Sequence, residues 1–158
     1  MENMSSLRNF DSVWQRVNPA ATAAAPPADD RAVLQRMIQD EYESHSLYKC
    51  LASRTNGKNA RLFSSLAADE ARHLKHLQLE YLLLTGDSYS PASYDCPREG
   101  VVTLIRTAYV GEAGAEKFYL DSARATSRQS LQKMFLAHSA DENRHGRMLR
   151  SMLINSMN

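Results

Sequence analysis

The tetrapeptide pattern Glu-x-x-His occurs twice in this sequence, as EARH at residues 70–73 and as ENRH at residues 142–145. Side chains three positions apart leave the same face of an α-helix, so each glutamate and its histidine point the same way. Both motifs lie within runs of apolar residues at helical spacing, which predicts that these polar faces turn toward a core. The flanking apolar residues are Phe63, Leu66 and Leu77 around the first motif, and Leu131, Phe135 and Leu149 around the second.

The two motifs belong to a longer internal repeat with an offset of 71 or 72 residues. DEYESHSLYKCLA from Asp40 resembles GEAGAEKFYLDSA from Gly111, and LAADEARHLKHL from Leu66 resembles HSADENRHGRML from His138. Such self-similarity predicts two matching structural units. The positions that repeat best are polar, and they pair Glu41 with Glu112, Tyr48 with Tyr119, Asp69 with Asp141, Glu70 with Glu142 and His73 with His145.

Apolar periodicity and capping residues predict four helices. Asp29 or Asp30 can cap the first helix, Gly57 is the predicted stop for it, and Gly86 follows the end of the second. The connection at residues 86–97 is long and contains two prolines, whereas the other two links are short. We therefore expect an all-α four-helix bundle with one long crossover between parallel helices two and three. The predicted helices cover about 30–55, 59–85, 98–125 and 127–157.

The first 28 residues are expected to lie outside the bundle, which would occupy residues 29–158. Residues 19–28 mix alanine with three prolines and lack a polar/apolar period, which is typical of a linker. Ahead of it, residues 10–17 carry one apolar face formed by Phe10, Val13, Trp14 and Val17. This segment either packs on its own bundle or acts as a docking peptide that recruits the chain to a larger assembly.

Glu41 and Glu112 also fall on the apolar stripes of their helices, so four carboxylates are predicted to meet in the core. Ionised carboxylates cannot be buried together unless opposite charge is present, and two divalent ions would cancel the four charges. Mixed carboxylate and imidazole donors suit iron, manganese or zinc. Two iron ions per chain are the first expectation, with manganese as the alternative. The predicted ligands are Glu41, Glu70, His73, Glu112, Glu142 and His145.

These six residues resemble the di-iron signature of the ferritin-like superfamily, and the resemblance covers about residues 30–157. Within that superfamily the chain most resembles rubrerythrin, because Tyr48 lies seven residues after Glu41 and the acid Glu116 follows Glu112 on the same face. The resemblance implies a ferritin-like bundle, reduction of hydrogen peroxide in oxidative stress protection, and Glu116 as a candidate seventh ligand. Glu116 could instead pair with Lys117 or with a neighbour at the edge of the site.

The sequence departs from rubrerythrin in two respects. Glu116 lies four residues after Glu112, where rubrerythrins usually have their extra glutamate three residues after the ligand. The cysteine-rich rubredoxin domain is absent, so electrons are expected from an external donor such as rubredoxin. A homo-oligomer, at least a dimer, is expected. The alternatives are iron oxidation and storage by a ferritin-like assembly, a manganese catalase that needs no electron donor, and a purely structural metal bundle.

Several residues near the predicted ligands have less certain roles. Asp69 and Asp141 are each predicted to accept the free ring N–H of the histidine from the opposite pair. Tyr48 and Tyr119 either hydrogen-bond ligand carboxylates or relay an electron, and the first role is favoured. His45 shares the face of Glu41 and is a ligand, a donor to a ligand or a satisfied core histidine. Off the apolar stripe, His76 is expected in solvent, whereas His138 lies on the stripe and has no assigned role.

Composition argues against several other classes of function. With 19 basic and 18 acidic residues the formal charge is +1, so no strong field would attract nucleic acid or an anionic membrane. No apolar run approaches the roughly 20 residues that span a bilayer, and the amino terminus lacks a signal sequence, so a cytoplasmic protein is expected. Cys50 and Cys96 lack paired spacing; neither is predicted to bind metal, and a disulfide is considered unnecessary.

Overall fold

The structure is a computed structural model that describes residues 29–155; the predicted linker and docking segment lie outside the described residues. It contains four helices and, within the described range, no strand. They are α1 (Asp30–Ser53), α2 (Gly57–Thr85), α3 (Val101–Ala125) and α4 (Gln129–Asn155). The predicted all-α bundle with one long crossover between helices two and three is confirmed.

The helix ends show which capping signals were interpreted correctly. Asp29 caps α1, because its carboxylate accepts from the backbone N–H groups of Arg31 at 3.1 Å and Ala32 at 3.3 Å. Gly86 ends α2 with φ 77°, and its N–H donates to the carbonyl of Leu82 at 2.8 Å. The prediction that Gly57 stops the first helix was wrong. Gly57 has φ 58° and is the first residue of α2, so its left-handed backbone completes the short turn between the helices.

The helices pack as two antiparallel hairpins, α1 with α2 and α3 with α4. The hairpins meet where α1 contacts α3 and where α2 contacts α4. Leu47 and Leu51, near the end of α1, pack with Leu104 and Ile105 near the start of α3, so these two helices run in opposite directions. Consequently α2 and α3 are parallel, as predicted, and the crossover runs the length of the bundle.

Two apolar clusters fill the two ends of the bundle. The first cluster includes Leu51, Phe63, Leu66 and Leu149, and the second includes Leu34, Ile38, Leu77, Leu131 and Phe135. These nine side chains are at most 1% exposed, and burial of each contributes about 1.5–3 kcal/mol. The two clusters do not merge, because along every helix the residues between them are acids and histidines. This polar layer is the candidate site.

The crossover is fastened to α1. Gln39 accepts a hydrogen bond from the Ala92 N–H at 2.7 Å, and the Arg54 guanidinium donates to the carbonyl of Pro97 at 2.9 Å. A disulfide joins Cys50 of α1 to Cys96, with 5.7 Å between the Cα atoms. The view that a disulfide is unnecessary was therefore wrong. The two cysteines are 46 residues apart in sequence, and only the return of the crossover to the end of α1 brings them together.

The disulfide contributes to stability by restraining the unfolded chain. For a loop of this length the chain-entropy model gives a contribution on the order of 4 kcal/mol. Because the crossover has no secondary structure of its own, this bond and the contacts of Gln39 and Arg54 replace the packing that a helix would provide.

A separate observation concerns membranes: none of the helices in residues 29–155 has the length and apolar character needed to span a bilayer.

Candidate metal centre

The polar layer consists of six buried residues contributed by all four helices. α1 and α3 supply one glutamate each, whereas α2 and α4 each supply a glutamate and a histidine from one Glu-x-x-His motif. None of these residues is more than 4% exposed. The six, Glu41, Glu70, His73, Glu112, Glu142 and His145, are the residues that the sequence predicted as metal ligands.

The six residues of the layer divide into two overlapping groups of potential ligands. One group contains Glu41 and His73, the other contains Glu112 and His145, and both contain Glu70 and Glu142. A third group joins His138 to Glu41 and His73. Within each group, one ligand atom from every residue lies within 4.8 Å of the others. Two carboxylates shared between two groups can bridge two ions, so the arrangement suits a pair of metals rather than a single one.

Atoms that face the middle of the layer lack hydrogen-bond partners. Nδ1 of His73 lies 3.0 Å from Glu142 Oε1, and Nδ1 of His145 lies 3.0 Å from Glu70 Oε1. None of these four atoms, nor Glu70 Oε2, has a partner in hydrogen-bond geometry. Buried polar atoms are nearly always satisfied in folded proteins, and these converging atoms could be satisfied together by a bound cation. The donor set of oxygen and imidazole nitrogen fits iron, manganese or zinc.

The electrostatics of the layer show what opposes the carboxylates without a metal. Burial raises the pKa of Glu112 to about 7 and raises the pKa of Glu41 well above its usual range. Burial alone would lower the pKa of His145, but the facing carboxylates outweigh it and raise that pKa to about 12; the pKa of His73 is raised for the same reason. Metal binding must therefore displace protons from this layer, because an imidazole binds a metal only when deprotonated at the ligand atom.

The outer ring nitrogens of both histidines are fixed by aspartates from the opposite motif. His73 Nε2 lies 3.2 Å from Asp141 Oδ2, and His145 Nε2 lies 3.2 Å from Asp69 Oδ2. This is the pairing that the sequence predicted for Asp69 and Asp141. When each Nε2–H donates to its aspartate, the lone pair of a neutral imidazole is on Nδ1, which faces the layer.

Two arginines hold these aspartates, and the sequence analysis did not identify them. Arg144 donates to Asp141 at 2.8 Å and to Asp69 at 3.1 Å, while Arg72 donates to Asp69 at 2.5 Å. Burial opposes ionisation of both aspartates, but hydrogen bonds from the arginines and histidines outweigh it and lower their pKa values. The signal was present in the sequence, because each arginine directly precedes the histidine of its motif in both copies of the repeat.

Two tyrosines hold the carboxylates of α1 and α3. Tyr48 donates its hydroxyl hydrogen to Glu112 Oε1, and Tyr119 donates to Glu41 Oε1. Both side chains are buried, at 1% and 2% exposure. The hydrogen bonds cross between the hairpins, so each tyrosine of one repeat positions the carboxylate of the other. This contact is the one that the sequence analysis favoured for them.

The remaining histidines differ in their surroundings. His138 is buried, stacks on His73 with 4.0 Å between ring centroids, and has Nδ1 3.3 Å from the Tyr119 hydroxyl. Burial, with the nearby His73 and His76, lowers the pKa of His138 to about 3. His76 is exposed, as predicted, and its Nδ1 lies 3.4 Å from His138 Nε2. His45 Nδ1 lies 2.7 Å from the carbonyl of Ala67, which satisfies it away from the metal layer.

Glu116, the candidate seventh ligand, is outside the groups of potential ligands found in residues 29–155. It is half-buried, and its Oε1 accepts a hydrogen bond from the Asn143 side chain at 2.9 Å. Asn143 is the second residue of the motif on α4, directly after the ligand Glu142. Glu116 is therefore held beside the layer, not within it.

Comparison with known proteins supports the fold and leaves the chemistry open. No protein-family model matches this sequence, and no curated protein matches it. Among solved structures, a hypothetical protein from Pyrococcus furiosus is similar, with a TM-score of 0.70 and 19% sequence identity. The similarity covers 79% of this chain and 88% of that protein. At this identity it shows a shared helical fold, and the resemblance to rubrerythrin stays a prediction that rests on the residues of the metal layer.

Proposed function

We propose that this chain is a rubrerythrin-like non-haem di-iron peroxidase, which reduces hydrogen peroxide with electrons from an external donor. The observation that carries the proposal is the pair of shared carboxylates, Glu70 and Glu142, facing two histidines whose inner nitrogens have no hydrogen-bond partner. A structural bundle would have no need for so many buried ionisable groups, because well-packed apolar residues in their place would be equally or more stable.

The proposed ligand assignment follows the two groups. Glu41 and His73 would hold one ion, Glu112 and His145 the other, and Glu70 with Glu142 would bridge them. When bound, a ferrous pair supplies the two electrons that cleave the O–O bond of peroxide, and rubredoxin or a similar reductant restores them. With two protons the products are two water molecules. The compartment where this protects against oxidative stress is proposed to be the cytoplasm.

The chain itself supplies orientation and exclusion of water. Asp69 and Asp141 hold the two imidazole rings with Nδ1 toward the layer. Tyr48 and Tyr119 hold the non-bridging carboxylates, so those oxygens keep their positions as the charge of the site changes. The apolar clusters on both sides of the layer keep bulk water away, which strengthens the electrostatic interactions inside.

Iron oxidation and storage is the second candidate, and the position of Glu116 favours it. Storage requires the same six ligands without a seventh carboxylate, and Glu116 is bound to Asn143 outside the layer. In the peroxidase, Glu116 would instead have to leave Asn143 and approach the ions during turnover. The two candidates therefore differ in a movement of one side chain.

Metal content and oxidant preference test the proposal. We expect elemental analysis of the iron-loaded protein to give two ions per chain, and zero or one at saturation would contradict it. Stopped-flow oxidation of the reduced protein should be much faster with peroxide than with oxygen. Equal rates together with mineral accumulation would support storage, and oxygen release from peroxide without a donor would indicate a catalase.

The variant Glu116→Gln separates binding from chemistry. We expect two irons to remain bound in the reduced protein, while oxidation by peroxide becomes slower, because a carboxylate that joins the site after oxidation no longer carries charge. Glu80→Gln, the same change on α2 away from the layer, is the control and should leave both properties unchanged. An unchanged peroxide rate in Glu116→Gln would favour the storage candidate.

A further inference from the structure

Three approaches to the metal layer are covered. Apolar clusters block both ends of the bundle axis. Between α2 and α4, the guanidinium groups of Arg72 and Arg144 bind the aspartates that hold the ligand histidines. A cation that approached from this side would have to break these ion pairs. The side between α1 and α3 is different.

A groove runs between α1 and α3, with a volume of about 350 Å³. It exists because α3 presents small residues there, including Gly111, Gly114 and Ala115. A Cβ atom built on Gly111 or Gly114 would meet no atom within 4 Å, so neither the backbone nor a neighbouring side chain fills this space. We call this space the α1/α3 groove.

The α1/α3 groove continues inward to a smaller cavity of about 20 Å³ that Glu41 and Glu142 line. Four residues line both spaces and form the neck between them: Asp40, Ser44, Ala115 and Phe118. The inner cavity has room for about one water-sized body. Glu142 is only 2% exposed, and its Oε1 has no partner in hydrogen-bond geometry although His73 Nδ1 lies 3.0 Å away, so a buried potential ligand lies at the inner end of the groove.

The charges along the groove favour a cation. Asp40 and Glu43 line it with two carboxylates, whereas Arg36 supplies one positive charge. The Arg36 guanidinium lies at the neck, where it pairs with Asp40 at 3.6 Å and lies 4.0 Å from the centre of the Phe118 ring, so one carboxylate remains in excess along the groove. Negative charge in a cleft raises the local concentration of cations and speeds their capture.

We propose that the α1/α3 groove is the path by which divalent metal ions reach the buried centre, with Ala115 and Asp40 controlling passage through its neck. The inference rests on the proposed function only in requiring a metal centre, and it holds for a peroxidase or a storage protein alike. An ion would meet Glu43 first, pass Asp40 and shed water at the neck, and arrive at Glu41 and Glu142.

The rate of metal loading tests the neck. Metal-free protein is mixed with Co²⁺ in a stopped-flow instrument, and the visible absorbance of the bound ion is followed. Ala115→Leu should slow loading on the order of tenfold or more, because the neck passes only about one water-sized body. Ala113→Leu makes the same change two residues away at an exposed position of α3 and should load at the wild-type rate.

A charge variant tests the neck without changing its shape. Asp40→Asn should slow Co²⁺ loading severalfold at low ionic strength, and the difference from wild type should shrink as salt screens the carboxylates. Asp121→Asn removes an acid of α3 that does not line the groove and should leave the rate unchanged. Because Asp40 is half exposed, this variant is expected to fold normally.

Equilibrium binding keeps the two proposals separate. All four variants should still bind two ions per chain when dialysed to saturation. Two ions at saturation with wild-type loading rates in both Ala115→Leu and Asp40→Asn would overturn the entry path and leave the metal centre intact. Failure of the wild-type protein to bind two ions would instead overturn the proposed centre itself.

Discussion

Tyr48 and Tyr119 occupy matching positions of the internal repeat, and each donates a hydrogen bond to a carboxylate of the metal layer, but their surroundings differ. Beyond Tyr119 lies His138, followed by the exposed His76. Both tyrosine rings lie near a phenylalanine, with 6.3 Å between the centroids of Tyr48 and Phe63 and 6.0 Å between those of Tyr119 and Phe135. The repeat places Leu66, a core residue, where the other half has His138.

This comparison separates the proposed ligands, which both halves of the repeat share, from the neighbouring residues, which differ between the halves. The six proposed ligands repeat, as a site for two adjacent ions with equivalent donors would require. One surrounding position does not repeat: His138 connects the Glu41 half to the exposed His76, whereas the Glu112 half has the core residue Leu66 there. Two ions in this layer would therefore have unequal environments despite equal ligands.

The strongest test of the equivalence between the halves is removal of the shared carboxylates. Glu70→Ala and Glu142→Ala should each abolish binding of the metal pair and most activity, because each removes a bridge between both ions. The two variants should behave alike, since the repeat relates them. Elemental analysis provides the measurement, with Glu80→Ala as control. A variant that kept two ions while the other lost them would show that the bridges are not equivalent.

A smaller effect is expected when the aspartates behind the histidines change. Asp141→Asn and Asp69→Asn should weaken metal affinity by about 10–100-fold, the usual range for residues that orient a ligand. Asp69 accepts from two arginines and Asp141 from one, so Asp69→Asn should show the larger loss. Competition with a chelator would measure both affinities. Equal metal affinities in wild type and variants would contradict the role of Asp69 and Asp141 in positioning the histidines.

The convergence of four glutamates and two histidines in the core could be predicted from sequence because it depends on helical periodicity. Glu70 and His73 share a face whatever the rest of the chain does, and the repeat supplied the second pair. Glu41 and Glu112 lie on apolar stripes, so the same logic placed them inward. The pairing of Asp69 and Asp141 with opposite histidines also followed, because a ligand imidazole needs an acceptor for its outer N–H.

Features that depend on how separate segments meet could not be predicted. The disulfide of Cys50 with Cys96 requires the path of an irregular crossover, which periodicity does not describe. A glycine with positive φ can end one helix or begin the next, so the sequence did not show which of these roles Gly57 has. Glu116 was placed on the correct helix, but whether it faces the ions or Asn143 depends on its rotamer and its neighbour.

The last and smallest effect concerns the tyrosines, where the two halves should respond differently. Tyr48→Phe removes a donor from one buried carboxylate. Tyr119→Phe removes a donor from Glu41 and also leaves Nδ1 of His138 without the hydroxyl 3.3 Å away. An unsatisfied buried polar group costs about 1–3 kcal/mol, so Tyr119→Phe should lower the free energy of unfolding by about that much more than Tyr48→Phe.

Chemical denaturation of the metal-free protein in the presence of a chelator would measure this difference, because no difference in metal affinity between the variants then enters the free energy of unfolding. A second substitution shows whether His138 is the cause. His138→Leu gives the Tyr119 half the residue type that Leu66 provides in the other half, so Tyr119→Phe should cost less in that background than alone. If both tyrosine variants lose the same stability in every background, His138 does not depend on Tyr119, and the two halves are equivalent beyond their ligands.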